Sequence, residues 1–333
     1  MVKKKIGSTI LLLIVFLIVG CFAAPVWGAE IVWRLGGGTA IGTPETLSTN
    51  YFVKLVEERT DGRMKIDFYP AAQLGASDEQ FDNLKLGAQD ASVDKYAKLR
   101  DLNADFNIFS VPYLFSDVDH IKRFFATDTF QQMEKEILEN SGIRVIAKNW
   151  WCEPRVLLLA KPASSLEDIK GRLLRMANSM PYIKTWEALG AVCIEIAWGE
   201  AYSAVDTGVV DGVDSPIDTI YGMGFHKVAP YILMTNHIQG IPNAVFVSEK
   251  SWQALPQDIK TIVEVAANEA GDYYYDLIHA SHAENMEKIK NEGGKFIEVD
   301  ISPALKVMGG VVSDLEEANF IPKGLYNYVD GLR

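Results

Sequence analysis

Apolar and polar positions along this chain switch repeatedly between two rhythms. Residues 31–35 form a short apolar run that stops at Gly36, Gly37 and Gly38. A helical period follows. Thr43-Pro44-Glu45 supplies an N-cap, a proline for the first helical position and an acid for the first turn. Leu47, Tyr51, Leu55 and Val56 then share one face, and Gly62 stands where a closing glycine belongs. Residues 65–69 read as a second strand. Ser77 and Gln80 read as a capping box for a helix that ends at Gly87, and residues 91–96 as a third strand. Farther on, Pro181 opens a helix that ends at Gly190, Gly199-Glu200 opens another that ends near Gly208, and residues 245–248 form a strand. Strands alternating with helices of this length predict parallel β-α-β units.

The longest period lies between Pro256 and Asn291. No proline interrupts it, and Gly271 is its one interior glycine. Ile259, Ile262, Val263, Val265, Ala266, Ala270, Tyr273, Tyr274 and Leu277 recur at helical spacing, as one long helix or two joined ones. A helix of ~35 residues spans ~50 Å, more than the face of one domain. The chain has no low-complexity linker and no internal repeat. Two domains without a linker imply that the chain crosses between them more than once.

Composition narrows this picture. The 333 residues suffice for two domains, and 48% hydrophobic with 23% charged residues is an ordinary globular balance. The net charge is −12; residues 1–29 hold Lys3, Lys4 and Lys5 and no acid, so the chain from Glu30 onward carries −15. Such a surface repels nucleic acid and anionic lipid, and any bound anion must be held by a local group of donors.

Residues 1–29 read as a signal peptide. They have a lysine-rich start, an apolar stretch from Ile6 to Val19, and Pro25 with small residues up to Ala29. The uncharged stretch is also long enough for an uncleaved anchor. Ile18-Val19-Gly20-Cys21 looks like a lipobox, which would make Cys21 a lipidated first residue on the inner membrane. The remaining cysteines, Cys152 and Cys193, are too few for a disulfide framework. They read as two small buried residues, with their pairing open.

Several motifs, weak singly, gain weight from their order: Thr60-Asp61-Gly62-Arg63, Tyr69-Pro70 with Leu74-Gly75, Pro112-Tyr113-Leu114-Phe115, and the stretch around Arg175 that runs through Gly208-Val-Val-Asp-Gly212. Together they resemble the solute-binding proteins of tripartite ATP-independent periplasmic (TRAP) transporters, DctP-type, from about Trp33 to past Trp252. The resemblance implies a periplasmic-binding-protein-like α/β fold: two domains with mixed sheets, a ligand cleft between them and a long helix spanning both. It places residues 30–152 plus 241–280 in domain I and residues 153–240 plus 281–333 in domain II.

The resemblance also implies site residues. Arg175 would clamp a solute carboxylate. Its planar guanidinium suits bidentate recognition, and it sits in the apolar run Leu173-Leu174-Arg175-Met176. Arg155 would reach the same carboxylate, although Glu153-Pro154 before it departs from the usual glycine-rich approach; the alternative is a pairing with Glu153 or another acid. Ser215 stands where many members have an asparagine whose amide bonds the solute. Apart from the resemblance, Trp198, Trp150 and Trp151 lie near the expected cleft in sequence and would wall it, or pack at the domain joint. Glu79 would accept from a solute hydroxyl or amine, or face solvent.

Other chemistries find little support. Gly36-Gly37-Gly38 fails as a dinucleotide fingerprint because Ile41 occupies the third glycine's place. There is no Gly-x-Ser-x-Gly elbow and no His-Glu-x-x-His. His279 and His282 are spaced for a metal but lack a third ligand; His120, His226 and His237 are scattered. The Glu-Trp pair of the metal-assisted branch of the family is missing. No cofactor, no metal and no enzymatic role are therefore expected.

The expected protein is a periplasmic, monomeric receptor. It captures an organic acid anion, closes by a hinge and delivers the solute to the small and large membrane subunits of a transporter. The tryptophans and Ser215 favour a monocarboxylate with an aromatic or hydrophobic part over a C4-dicarboxylate. The alternatives are an exported ligand-sensing module and a carboxylate-handling enzyme of the same fold.

Overall fold

A computed structural model describes residues 31–333; the proposed signal peptide and Cys21 lie outside the described residues. Eleven strands run in chain order as β1 Ile31–Gly37, β2 Met64–Tyr69, β3 Ala91–Lys95, β4 Ile143–Trp150, β5 Arg155–Leu159, β6 Leu173–Met176, β7 Val192–Glu195, β8 Gly212–Pro216, β9 Tyr231–Ile238, β10 Asn243–Ser248 and β11 Lys295–Ile297. They form two mixed sheets, ordered β2-β1-β3-β10-β4 and β11-β9-β5-β8-β6-β7. The first is the core of domain I, the second of domain II. The helices are α1 Pro44–Arg59, α2 Ser77–Leu86, α3 Val118–Phe125, α4 Asp128–Ser141, α5 Met180–Ala188, α6 Trp198–Asp206, α7 Ile217–Met223, α8 Phe225–Val228, α9 Glu249–Gln253, α10 Gln257–Asn291, α11 Ser302–Glu317 and α12 Leu325–Asp330.

Both sheets are covered on both faces, and the central strands show why. In β10, Ala244 and Phe246 enter one apolar cluster while Val245 and Val247 enter the cluster on the other face. In β5, Val156 and Leu158 face one side, Leu157 and Leu159 the other. An unbroken apolar run is what a strand needs when neither face sees water.

Two strand pairs carry the chain between domains. β4 leads through residues 151–154 into β5, and β9 returns through residues 239–242 into β10. β10 lies antiparallel to β4, and β5 antiparallel to β9. Both pairs slip register at the joint, near Asn243 and near Arg155. Such bulges bend a strand locally, which suits a hinge.

Helix α10 is a single helix of 35 residues. Ile259 through Ile278 pack in domain I, and Ile289 packs in domain II, so the helix crosses behind both. The tail divides differently from the expected boundary. Ala304 packs in domain II, but Met308, Val311, Val312, Leu315, Ile321, Leu325 and Val329 fill the aromatic core of domain I, because α11 and α12 lie across the joint.

Two caps differ from the sequence reading. Helix α1 ends at Arg59 with Thr60 as its cap, the hydroxyl of Thr60 donating to the Val56 carbonyl at 2.8 Å; Gly62 sits in the turn beyond. At α2 the N–H of Ala76 donates to Glu79 Oε2 at 2.9 Å, so the glutamate does the capping. Gln80 is drawn inside instead, where its Oε1 accepts from Ser92 at 3.0 Å and from Gln89 at 3.2 Å. Gly36 makes room for this network: a methyl there would lie 2.1 Å from Gln80 Oε1. Gly36 thus serves packing, whereas a side chain at Gly38 would meet open space.

Gly271 on α10 yields a test. A methyl there would meet Asn149 Oδ1 at 2.3 Å and Trp150 Cδ1 at 2.6 Å. Both are pinned, Trp150 Nε1 donating to the Ala267 carbonyl at 3.0 Å and Asn149 Nδ2 to the Asn268 carbonyl at 2.8 Å. Alanine gains at most ~1 kcal/mol of helix propensity. Overpacking costs about 1–3 kcal/mol. Gly271→Ala is expected to lower the urea midpoint, by a net ~1–2 kcal/mol; a midpoint that rises would show that α10 shifts freely off β4.

Candidate ligand site between the domains

Strand register sorts the polar residues of domain II onto two faces. Arg175 pairs with Val213, and Val156 with Ser215. Val156 and Val213 belong to the same apolar cluster, so Arg175 and Ser215 share that face. Asp214 and Leu157 are paired and face the other side.

Arg175 is 4% exposed. Its Nε donates to the Ile196 carbonyl at 2.8 Å, and its guanidinium carbon lies 5.3 Å from the centre of the Trp198 ring. Trp198 opens α6 and leans on Phe225 at 5.3 Å. Among the described residues no carboxylate comes within 4.0 Å of the Arg175 guanidinium. Burial pushes its pKa down to about 10; the Asp214 charge works against that shift and the Arg155 charge adds to it. Ser215 is fully buried, and its hydroxyl has no partner.

On the opposite face, Arg155 is tied to Asp214. Its Nε donates to the Asp214 carboxylate and its Nη2 to the Asp214 carbonyl at 2.7 Å. His237 Nε2 donates to the same carboxylate at 3.2 Å, which leaves Nδ1 to accept from Thr235 at 2.9 Å. Burial would raise the Asp214 carboxyl, but the Arg155 charge and the hydrogen bonds from His237 and Arg155 outweigh it and hold the group far below the usual range. The acid paired with Arg155 is thus Asp214. Glu153 points elsewhere, to His282 of α10 and to the Asp218 N–H at 3.4 Å.

Sequence reasoning missed a group of polar residues on the domain I side of the joint. Glu45, in the first turn of α1, accepts from the Thr39 hydroxyl at 2.8 Å and from Asn243 Nδ2 at 2.9 Å. Asn243 opens β10 opposite Lys95, the last residue of β3. Lys95 Nζ lies 3.2 Å from Cys152 Sγ, and Cys152 sits on the crossing segment. No pattern in the short strand Ala91–Lys95, where Ser92 and Asp94 are also polar, singled out Lys95. Across the joint, Arg100 Nε donates to the Asn178 carbonyl at 3.1 Å, so the lobes touch.

The other candidates are placed elsewhere. Trp151 stacks on Phe125 at 6.0 Å in the domain I aromatic core, with Lys122 over its ring at 5.7 Å. Trp150 is fully buried against Tyr274. Glu79 is exposed and caps α2. Cys152 and Cys193 are free thiols, and burial pushes the Cys193 thiol up to about 12. Among the described residues, no three of His, Cys, Asp and Glu are grouped to hold a metal, and no helix is long and apolar enough to cross a membrane.

Burial raises Glu45 to about 7, with the Lys95 charge opposing. A carboxyl raised in the fold costs stability once it ionises. Stability is therefore expected to fall between about pH 4.5 and 7, by roughly 2–3 kcal/mol, and to level off above. Glu45→Gln should flatten that segment of a urea-midpoint-versus-pH curve; an unchanged slope would assign it to another group.

Two α/β lobes with mixed sheets, joined by crossing strands and one long helix, are the architecture of a periplasmic-binding-protein-like receptor. The chain belongs to the bacterial extracellular solute-binding proteins, family 7, whose profile matches residues 35–316. It is a TRAP-type solute-binding protein and not an enzyme. The sialic acid-binding periplasmic protein of Vibrio cholerae is 29% identical over 286 residues, covering 86% of this chain and 88% of that one. The C4-dicarboxylate-binding periplasmic protein of Rhodobacter capsulatus is 28% identical over 272 residues, 81% of each chain. A crystal structure of a TRAP periplasmic solute-binding protein from Ochrobacterium anthropi with bound L-fuconate aligns with a TM-score of 0.83 at 25% identity, over 91% of this chain and 99% of that one.

Proposed function

We propose that this protein captures an organic acid anion in the cleft between its domains, with Arg175 making the bidentate contact to a carboxylate. The observation that carries this reading is a guanidinium 4% exposed, with no carboxylate within 4.0 Å among the described residues, on the same sheet face as the unpartnered hydroxyl of Ser215. A buried cation held without a counter-ion is poorly solvated, and an incoming carboxylate supplies what it lacks. Relatives named for sialic acid and C4-dicarboxylates, and a structure holding L-fuconate, support an acidic solute.

Export through residues 1–29 delivers the protein to the periplasm. Binding favours a closed form, reached by bending at residues 151–154 and 239–242, and this form docks as a monomer on the small and large membrane subunits of a TRAP transporter. Arg155 sets the local charge through its pair with Asp214. Thermal unfolding against a panel of organic acids tests the reading. A solute at ~100 times its Kd adds ~2.7 kcal/mol, a shift of several degrees. A panel of mono- and diacids, sugar acids and aromatic acids that moves nothing at 10 mM would sink it.

A further inference from the structure

We propose that the start of α1 and the body of α7 form the closing face of the cleft, and that Gly222 is the positioning residue that lets the lobes meet there. This inference rests on the solute-capture reading above.

Gly222 lies inside α7 with ordinary helical backbone. A glycine in that place weakens the helix, so the backbone gives no reason for it. Gly224, two residues on, differs: its φ of 73° ends the helix in the left-handed region. Packing within domain II does not call for a glycine at 222 either. Outside its own helix, a Cβ there would have one neighbour within 4 Å among the described residues. That neighbour is the Thr43 methyl, at 3.8 Å, and Thr43 belongs to domain I. What a side chain at 222 would meet is therefore the other lobe. At Gly36 and Gly271 the crowding atoms all lie within domain I.

Thr43 has its methyl free for this contact. Its hydroxyl is used at the helix start, where it donates to the Ala40 carbonyl at 2.9 Å and accepts from the Thr46 N–H at 3.4 Å. With the hydroxyl turned to its own helix, the methyl is the part that faces α7.

Both partners are rigid parts of their lobes. Phe52, Leu55 and Val56 anchor α1 in domain I, and Ile217 and Ile220 anchor α7 in domain II. The first turn of α7 is also tied to the crossing segment 151–154. The Asp218 N–H donates to Glu153 at 3.4 Å, and Glu153 also holds His282 of α10. One end of α7 thus sits at the bending segment, and Gly222, one turn farther on, reaches the other lobe. Bending at 151–154 moves α7 against α1 as a unit. A large side chain at 222 would fill the space beside the Thr43 methyl and stop the lobes short. A cleft stopped short admits water to the bound anion, and water weakens every charged contact made to it.

The experiment compares the exported forms of the parent, Gly222→Phe, Thr43→Gly and the double variant. Gly309→Phe is the control, because Gly309 is exposed on α11 and a Cβ there has no neighbour within 4 Å among the described residues. Sialic acid, succinate and L-fuconate are the probes. Calorimetry reads the affinity, and stopped-flow fluorescence reads the dissociation rate. Gly222→Phe is expected to bind the best probe at least ~10-fold more weakly. The loss should lie mostly in faster dissociation. Its melting temperature should not fall, since phenylalanine is the better helix former. Thr43→Gly keeps an acceptable helix start and removes the methyl. In the double variant it should recover at least ~3-fold of the lost affinity. If Gly222→Phe binds as the parent and the control do, or if Thr43→Gly recovers nothing, the proposal is overturned. If no probe binds the parent, the solute reading fails on its own account, and small-angle X-ray scattering decides the closing face. A Gly222→Phe protein more extended than the parent then upholds it, and equal radii of gyration overturn it.

Discussion

Arg175→Met is expected to abolish the solute-induced rise in melting temperature while making the empty protein more stable. The two effects have one cause. Burial pushes the arginine from 12.5 down to about 10, so at neutral pH the fold carries the whole cost of a poorly solvated charge, roughly 2–4 kcal/mol. The cost would fade only as the pH rose from about 10 towards 12.5, because the depressed group is a base. Methionine removes that cost and keeps much of the volume. It forfeits the hydrogen bond to Ile196 and the contact with Trp198, together ~1–2 kcal/mol. The net is a gain of ~1–2 kcal/mol in the empty protein. Binding loses a bidentate, desolvated ion pair worth ~2–5 kcal/mol, so affinity for the best acid in the panel should drop at least ~30-fold. A variant that is less stable when empty and still binds would show that Arg175 is a structural residue.

Asp214→Ala is expected to cost about 3–5 kcal/mol, the largest destabilisation at any polar position near the cleft. The substitution strands the Arg155 guanidinium and takes the acceptor from His237. The pH dependence has a definite sign. A carboxyl held far below its usual range stabilises the fold above the ordinary aspartate pKa of ~4 and loses that contribution as the pH falls below it. Asp214→Ala should therefore flatten the acid limb of the stability curve as well as lower its plateau. Urea unfolding at pH 7 and pH 3 measures both. The double variant Asp214→Leu, Arg155→Met should recover most of the loss, because it removes the stranded charge. If the single variant unfolds within ~1 kcal/mol of the parent, the buried pair is not what organises this face.

Much of the fold was legible because its signals are local. The Thr43-Pro44 start, Gly87 in the left-handed conformation after α2 and the apolar run of β5 each act within a few residues. The periodicity from Ile259 onward left open one long helix or two joined ones; α10 is one helix, with Gly271 packed closely on Asn149 and Trp150. The capping residue of α2 was misread by one position, because Ser77 and Glu79 both suit a helix start and only the burial of Gln80 chooses between them.

In the site, Arg175 stood out as a charge inside an apolar strand. Glu45, Lys95 and Asn243 did not. The acid in the first turn of α1 looked like an ordinary complement to the helix dipole, and nothing in its neighbours along the chain says that it faces Asn243. Trp150 and Trp151 suggested an aromatic wall, yet both rings are absorbed by packing, on Tyr274 and on Phe125.

The pattern of apolar runs by itself determined the strands, their burial on both faces and the long helix, since each depends on side chains a few positions apart and on exclusion of water. The tertiary structure alone decided that Asp214 takes Arg155, and that side chains of α11 and α12 join the aromatic core of domain I. Those outcomes depend on strand order and register, which bring together groups far apart in the chain, and no local preference carries that information.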